Sequence, residues 1–206
     1  MRFLITGMSG GAGSAVAQSL QAEGHECVPW HHDDPLIPGG VFDGAFHAAG
    51  KETLLPLKKG DRFKAGYAFL GTYMLVELLA AADKGSIKEH GSIVVMSSVA
   101  AVCGTPGLSL YAASKGACES LVRSAAIELA PKRIRVNAIR AGGFKSPMHD
   151  RISKTIGTSG VSDYEAKHPL GFGDLQEIAS MACFLLLESA WTTGAIFTLD
   201  GGFSAK

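Results

Sequence analysis

Arg2-Phe3-Leu4-Ile5-Thr6-Gly7-Met8-Ser9-Gly10-Gly11-Ala12-Gly13 opens the chain, and its reading decides the fold. A short apolar run breaks at Thr6 into a glycine-rich turn, and Ser14-Ala15-Val16-Ala17-Gln18-Ser19-Leu20 then reads as a helix. Strand, glycine turn, helix is the order in which an α/β domain presents a helix N-terminus, with free N–H groups and the positive end of a dipole, to a pyrophosphate. Gly7, Gly11 and Gly13 allow tight turning and close backbone approach, with Ser9 and Ala12 between them in the same turn. Taken alone, a glycine pattern fits a flexible loop equally well. The strand before it and the helix after it favour dinucleotide binding.

The bulk of the chain is consistent with that start. It has 206 residues, 47% of them hydrophobic, enough for one domain over 1–206 with a sizeable core. Nineteen basic residues balance nineteen acidic ones (Lys+Arg 19, Asp+Glu 19), so neither a nucleic acid nor an anionic membrane is an expected partner. The first apolar run breaks at Thr6, and no apolar stretch approaches the roughly 20 residues that span a bilayer, so a soluble, unexported, cytoplasmic protein is expected. Cys27, Cys103, Cys118 and Cys183 are scattered, which suggests reduced thiols and neither a zinc cluster nor a disulfide framework.

Glu26-Cys27-Val28-Pro29-Trp30 reads as a second strand, and Pro29, which cannot donate a ladder hydrogen bond, places it at a sheet edge. From His31 to Phe42 the chain is too rich in Pro and Gly to hold a helix and another strand. His31 and His32 occupy the end of the second strand, where a dinucleotide site meets the ribose. Asp33 and Asp34 follow and the glycine turn holds no Arg or Lys, which tilts the expected cofactor from NADP toward NAD. The run His31-His32-Asp33-Asp34 is not read as a metal site, because adjacent loop side chains seldom converge on one ion. Asp43 to Gly50 is a further strand and turn, with His47 packed and hydrogen-bonded. Asp61 to Ala82 carries Phe63, Tyr67, Leu70, Met74 and Leu78 at helical spacing, as core or subunit interface. Gly91 to Ser98 is a buried strand ending in two serines.

Tyr111-Ala112-Ala113-Ser114-Lys115 opens a long helix of small residues. Its Tyr and Lys, four positions apart, share one helix face, where an ammonium stabilises a phenolate and fits the phenol for proton transfer near neutral pH. The pair is common by chance and could be two surface residues. With the glycine turn before it, Ser98 ahead of it and Asp200-Gly201-Gly202 after it, the chain resembles the short-chain dehydrogenase/reductase family over nearly its whole length.

That resemblance implies a Rossmann-like, doubly wound α/β domain with a parallel sheet of about six strands, shortened by one strand-helix unit after the second strand. It implies hydride transfer between NAD or NADP and a small carbonyl or secondary alcohol substrate, with Ser98, Tyr111 and Lys115 catalytic and Lys115 also on the nicotinamide ribose. Ala49-Gly50 matches the end of the family's Asn-Asn-Ala-Gly turn, and Gly142, Phe144 and Ser146 match its nicotinamide segment, Ser146 keeping a hydroxyl for the carboxamide. The stretch 147–171 corresponds to the substrate loop, its His149, Arg151, Lys154, Lys167 and His168 expected in solvent. A homodimer or homotetramer through the Asp61–Ala82 and Tyr111 helices is implied too, although the small residues alone also suit core packing. The family's Asn is replaced by Ala68, with Tyr67 or Thr72 as substitutes. This departure keeps a second reading open, a non-catalytic dinucleotide-binding or sensing protein.

Overall fold

Ile93-Val94-Val95-Met96 and Val136-Asn137-Ala138-Ile139 are apolar at nearly every position, so the strands they form need cover on both faces. The computed structural model, which describes residues 1–50, 59 and 62–205, supplies it. Strands β1 (Arg2–Thr6), β2 (Glu26–Trp30), β3 (Phe42–His47), β4 (Ile87–Ser98), β5 (Arg135–Ala141) and β6 (Ile196–Leu199) make one parallel sheet in the order β2-β1-β3-β4-β5-β6. The helices are α1 (Gly11–Ala22), α2 (Arg62–Ala68), α3 (Leu70–Ala81), α4 (Ser109–Glu128), α5 (Pro147–Glu165) and α6 (Leu175–Cys183).

Alternate strand residues feed two cores. Leu4, Ile93, Val95, Val136 and Ala138 pack with Leu75 and Leu78 of α3 and Val122 of α4. Phe3, Ile5, Val94, Met96 and Ile139 pack with Val16 and Leu20 of α1 and Ile178 of α6 on the other face. Fully burying one such side chain stabilises by about 1.5–3 kcal/mol, so the layers are held chiefly by apolar area.

As Pro29 requires, β2 is an edge strand, paired among the described residues with β1 alone. Between Trp30 and Phe42 the chain holds only turns and bends. β1 pairs with β2 on one side and β3 on the other, so the chain reverses its winding beside β1, where an open α/β sheet forms a ligand crevice.

Two expectations change. The Asp61–Ala82 stretch is two helices broken at Phe69, with Met74 and Leu78 buried and Tyr67 half-exposed; Asp61 and the Phe63 side chain lie outside the described residues. The stretch 147–171 is no loop over most of its length. Ser146 caps it, accepting from the His149 N–H at 3.2 Å, and Pro147 takes the first helical position, where a missing N–H costs nothing. Gly157, at φ 75°, ψ 172°, breaks α5 partway along. Among the described residues, no helix is long and apolar enough to cross a membrane.

Candidate active site

At the C-terminal ends of the strands lies a cleft of about 710 Å³. One end is the glycine turn. Gly7 has φ +68°, and a Cβ on it would lie 2.8 Å from the Ala48 carbonyl carbon. At Gly13 a Cβ would fall 2.2 Å from the Gly7 oxygen, so the turn closes onto its own backbone and any side chain there displaces it. Gly10 precedes α1 without a side-chain cap, which leaves the first-turn N–H groups to a ligand. Gly7, Ser9, Gly11, Ala12 and Gly13 line this end. A turn of backbone donors that admits no Cβ at Gly7 or Gly13 fits a pyrophosphate. His31 and His32 line the same end, the His31 N–H donating to the Asp34 carboxylate at 2.7 Å. Trp30, which ends β2, lines it as well, although the sequence reading did not select it.

The opposite end carries polar chemistry. β4 stops at Ser98, whose Oγ accepts from the Ala100 N–H at 3.2 Å and so turns the chain out of the sheet. The first turns of α4 bring in Tyr111 and Lys115, 9% and 7% exposed, with Lys115 Nζ 5.8 Å from the Tyr111 ring centroid. Lys115 Nζ donates to the Met96 carbonyl at 2.8 Å, and a Cβ on Gly50 would approach that nitrogen to 3.3 Å. Ser98, Tyr111, Lys115, Ala49 and Gly50 all line the cleft, as do Gly142, Phe144 and Ser146 beyond β5. The residues singled out from sequence are thus brought onto one cavity.

A polar scaffold stands behind these groups. Ser97, facing away from Ser98 on the same strand, donates to Glu119 Oε1 at 2.8 Å, and Arg140 binds the same carboxylate through Nε at 2.9 Å and through Nη2 to Oε2 at 2.7 Å. Burial works to raise the Glu119 carboxyl, but the hydrogen bonds from Arg140 and Ser97 outweigh it and hold the group below its ordinary range. Glu119 follows Tyr111 and Lys115 at four-residue steps along α4. His47 is fully buried, its Nδ1 2.9 Å from Thr6 Oγ1, which also accepts from the Ala49 N–H at 3.0 Å. Burial, helped by the Lys115 charge, lowers its pKa to about 3. The packed histidine expected there is what the structure has.

Other expectations shift. Thr72 donates to the Ser114 carbonyl at 3.3 Å, joining α3 to α4, so it holds helices together. His168, expected in solvent, is buried at 3% exposure. Met148, His149, Val161 and Tyr164 of α5 line the cleft, on the stretch expected at the substrate, although the sequence reading put His149 in solvent and did not expect a helix there. Ser146-Pro147, a cap followed by a first-turn proline, was the available signal. No two of the four cysteines are bridged, and burial pushes the Cys183 thiol up to about 11.

Comparison with known proteins agrees with this construction. The family model described as enoyl-(acyl carrier protein) reductase matches residues 39–204. The chain is 35% identical over 180 residues to the 2,5-dichloro-2,5-cyclohexadiene-1,4-diol dehydrogenase of Sphingobium indicum, covering 82% of this chain and 70% of that one. It is 38% identical over 117 residues to the 3-oxoacyl-[acyl-carrier-protein] reductase of Thermotoga maritima, covering 56% of this chain and 46% of the relative. A third relative, the inactive 2-(S)-hydroxypropyl-CoM dehydrogenase 2 of Xanthobacter autotrophicus, is 38% identical over 124 residues, covering 57% of this chain and 53% of its own. The chain therefore spans about half the length of these last two relatives. Among solved structures, a short chain dehydrogenase family protein from Francisella tularensis superposes with a TM-score of 0.91 at 24% identity, covering 100% of this chain and 99% of that one. A small-chain dehydrogenase in complex with NADPH gives 0.87 at 23%, and 4-hydroxyisoleucine dehydrogenase complexed with NADH gives 0.85 at 19%, each over 100% of this chain and 99% of the other. These structural likenesses carry the fold, whereas the family match over residues 39–204 and the 35% identity across 82% of the sequence carry descent. The chain belongs to the short-chain dehydrogenase/reductase family.

Proposed function

We propose that this protein is an NAD(P)-dependent oxidoreductase that interconverts a small carbonyl compound and its secondary alcohol. One observation carries the proposal: Ser98, Tyr111 and Lys115 line the same cleft as the glycine cradle at the start of α1. The cradle, with His31 and His32, would hold the dinucleotide, and Ala49, Gly50, Gly142, Phe144 and Ser146 would line its nicotinamide half. Bound nicotinamide supplies or accepts the hydride. The protein's part is the proton and the oxygen. Ser98 Oγ accepts from the Ala100 N–H, so its own proton is left to donate to the substrate oxygen. Tyr111 exchanges the hydroxyl proton, and the Lys115 ammonium beside it favours the phenolate between turnovers. Charge developing on a single oxygen is thereby met by two hydroxyls in a partly buried site.

The cofactor proposal favours NAD by a small factor, because the ribose end presents His31 and His32 with acidic neighbours and no Arg or Lys in the glycine turn. Exposed Tyr73 and Val76 on α3 and Ile127 on α4 suit packing against a second copy, as a homodimer or homotetramer. A second reading is supported by Ala68, which stands where the family has Asn, and by a relative that is itself named inactive. On that reading the chain binds the dinucleotide without turning it over. The deciding experiment follows NADH and NADPH consumption by the purified protein across ketones, keto-esters and keto-sugars. Turnover of any one supports the enzyme. Tight dinucleotide binding with none supports the second reading.

A further inference from the structure

Among the described residues His47 and His168 are the buried histidines, and His168 stands behind the wall that the turn after β5 and the end of α5 give the cleft. It follows α5, with its backbone N–H donating to the Glu165 carbonyl at 2.8 Å. The rings of Tyr164, Phe172 and Phe203 surround it, at centroid separations of 5.0, 5.2 and 4.7 Å. Both ring nitrogens are committed. The Gly143 N–H donates to Nε2 at 2.9 Å, so Nε2 carries no proton. Nδ1 lies 3.0 Å from the Tyr164 carbonyl, an acceptor only, so Nδ1 carries the hydrogen. The neighbours thus allow a single neutral tautomer.

Those two bonds join two parts of the lining of one cavity. Gly143 belongs to the turn after β5 that lines the cleft with Gly142 and Phe144, and Tyr164 lines it from α5. The contact is tight, since a Cβ on Gly143 would lie 2.3 Å from Phe172 Cε1 and 3.2 Å from His168 Cε1. The tie matters because α5 is broken at Gly157, so the part carrying Val161 and Tyr164 is not held to the cleft by helix continuity from Ser146.

We propose that His168 is a positioning residue for the reaction: it ties the end of α5 to the Gly142–Phe144 turn and so sets the width of the cleft where nicotinamide and substrate meet. This rests on the function proposed above. It acts through Gly143 and Tyr164 and needs no contact with the reacting atoms.

The test compares His168→Gln, whose amide can accept from Gly143 and donate to Tyr164, with His168→Leu, which can do neither. Expected for the leucine variant are a KM for the carbonyl substrate raised about tenfold with a smaller change in kcat, and fast hydrogen exchange at the Gly143 amide. The glutamine variant should restore most of both. Unchanged KM and slow Gly143 exchange in His168→Leu overturn the proposal, and so does a glutamine variant no better than leucine. Should the wild type neither bind nor consume NADH or NADPH, the proposed function falls, and Gly143 exchange in the three proteins alone decides whether the tie exists. Should the leucine variant not fold, the ¹⁵N shifts of His168 in the wild type decide, with protonated Nδ1 and bare Nε2 expected and any other state overturning the proposal.

Discussion

Tyr111 is the residue on which the proposed chemistry turns, and that role is separable from its packing. Tyr111→Phe keeps the ring, 9% exposed, and removes only the hydroxyl, so reduction should fall by at least about a hundredfold, the usual contribution of a placed acid/base. NADH affinity, measured by fluorescence titration, should change little; unchanged turnover would remove Tyr111 from the mechanism. His47 makes a different prediction. Its pKa falls from 6.5 to about 3 on folding, so between those values the unfolded chain binds more protons than the folded one, and stability drops as pH drops. Going from pH 6.5 to pH 5 should cost about 2 kcal/mol, measurable by urea unfolding. His47→Asn should flatten that slope. The carboxyls of Asp43, Glu119 and Asp200, all held below their ordinary range, do not blur the result, because their stabilising share is lost only at more acid pH.

Between elements, one buried ion pair fixes the register of three. Ser97 lies opposite Arg140 in the β4–β5 ladder, and Glu119 reaches both from α4, on the helix face that carries Tyr111 and Lys115. Glu119→Leu leaves a part-buried guanidinium and a buried hydroxyl without their carboxylate, and should cost about 3–5 kcal/mol in chemical denaturation. Adding Arg140→Met should recover part of the loss, because the unpaired charge goes with it; a fully additive double variant would show that the pair is not coupled. The elements themselves were unequally legible. β1, β4 and the glycine turn could be read because their burial is written in consecutive residues, and the Tyr111–Lys115 pair because helix geometry brings nearby positions together. α5 could not be read by periodicity, since it is polar, broken at Gly157 and turned toward a cleft instead of a core. The His168 bond to Gly143 spans 25 positions, a pairing that local patterns do not encode.

At the scale of the molecule, the parallel sheet brings every strand's C-terminal end to one side, so the cradle after β1, the turn after β3, Ser98 at the end of β4 and the turn after β5 share a cleft although the chain separates them widely. Topology, once the α/β class was recognised, did most of the assembly, whereas the proposed preference for NAD over NADP rests on a few side chains beside the edge strand β2. A ligand that seats itself across this cleft touches several elements at once and exists only for the folded chain, so it must shift the unfolding equilibrium. At a hundred times its Kd, a dinucleotide should add about 2.7 kcal/mol. For a domain of this size that is a rise in Tm of roughly 5–10 °C. NADH should raise Tm more than NADPH at equal concentration, and exchanging His31 for Arg should reverse the order, because a guanidinium can pair with the 2′-phosphate where an imidazole pairs weakly. If His31→Arg leaves the order as it was, then His31, although it lines the cleft, does not meet the ribose. If neither dinucleotide moves Tm in the wild type or the variant, the cleft is not a dinucleotide site.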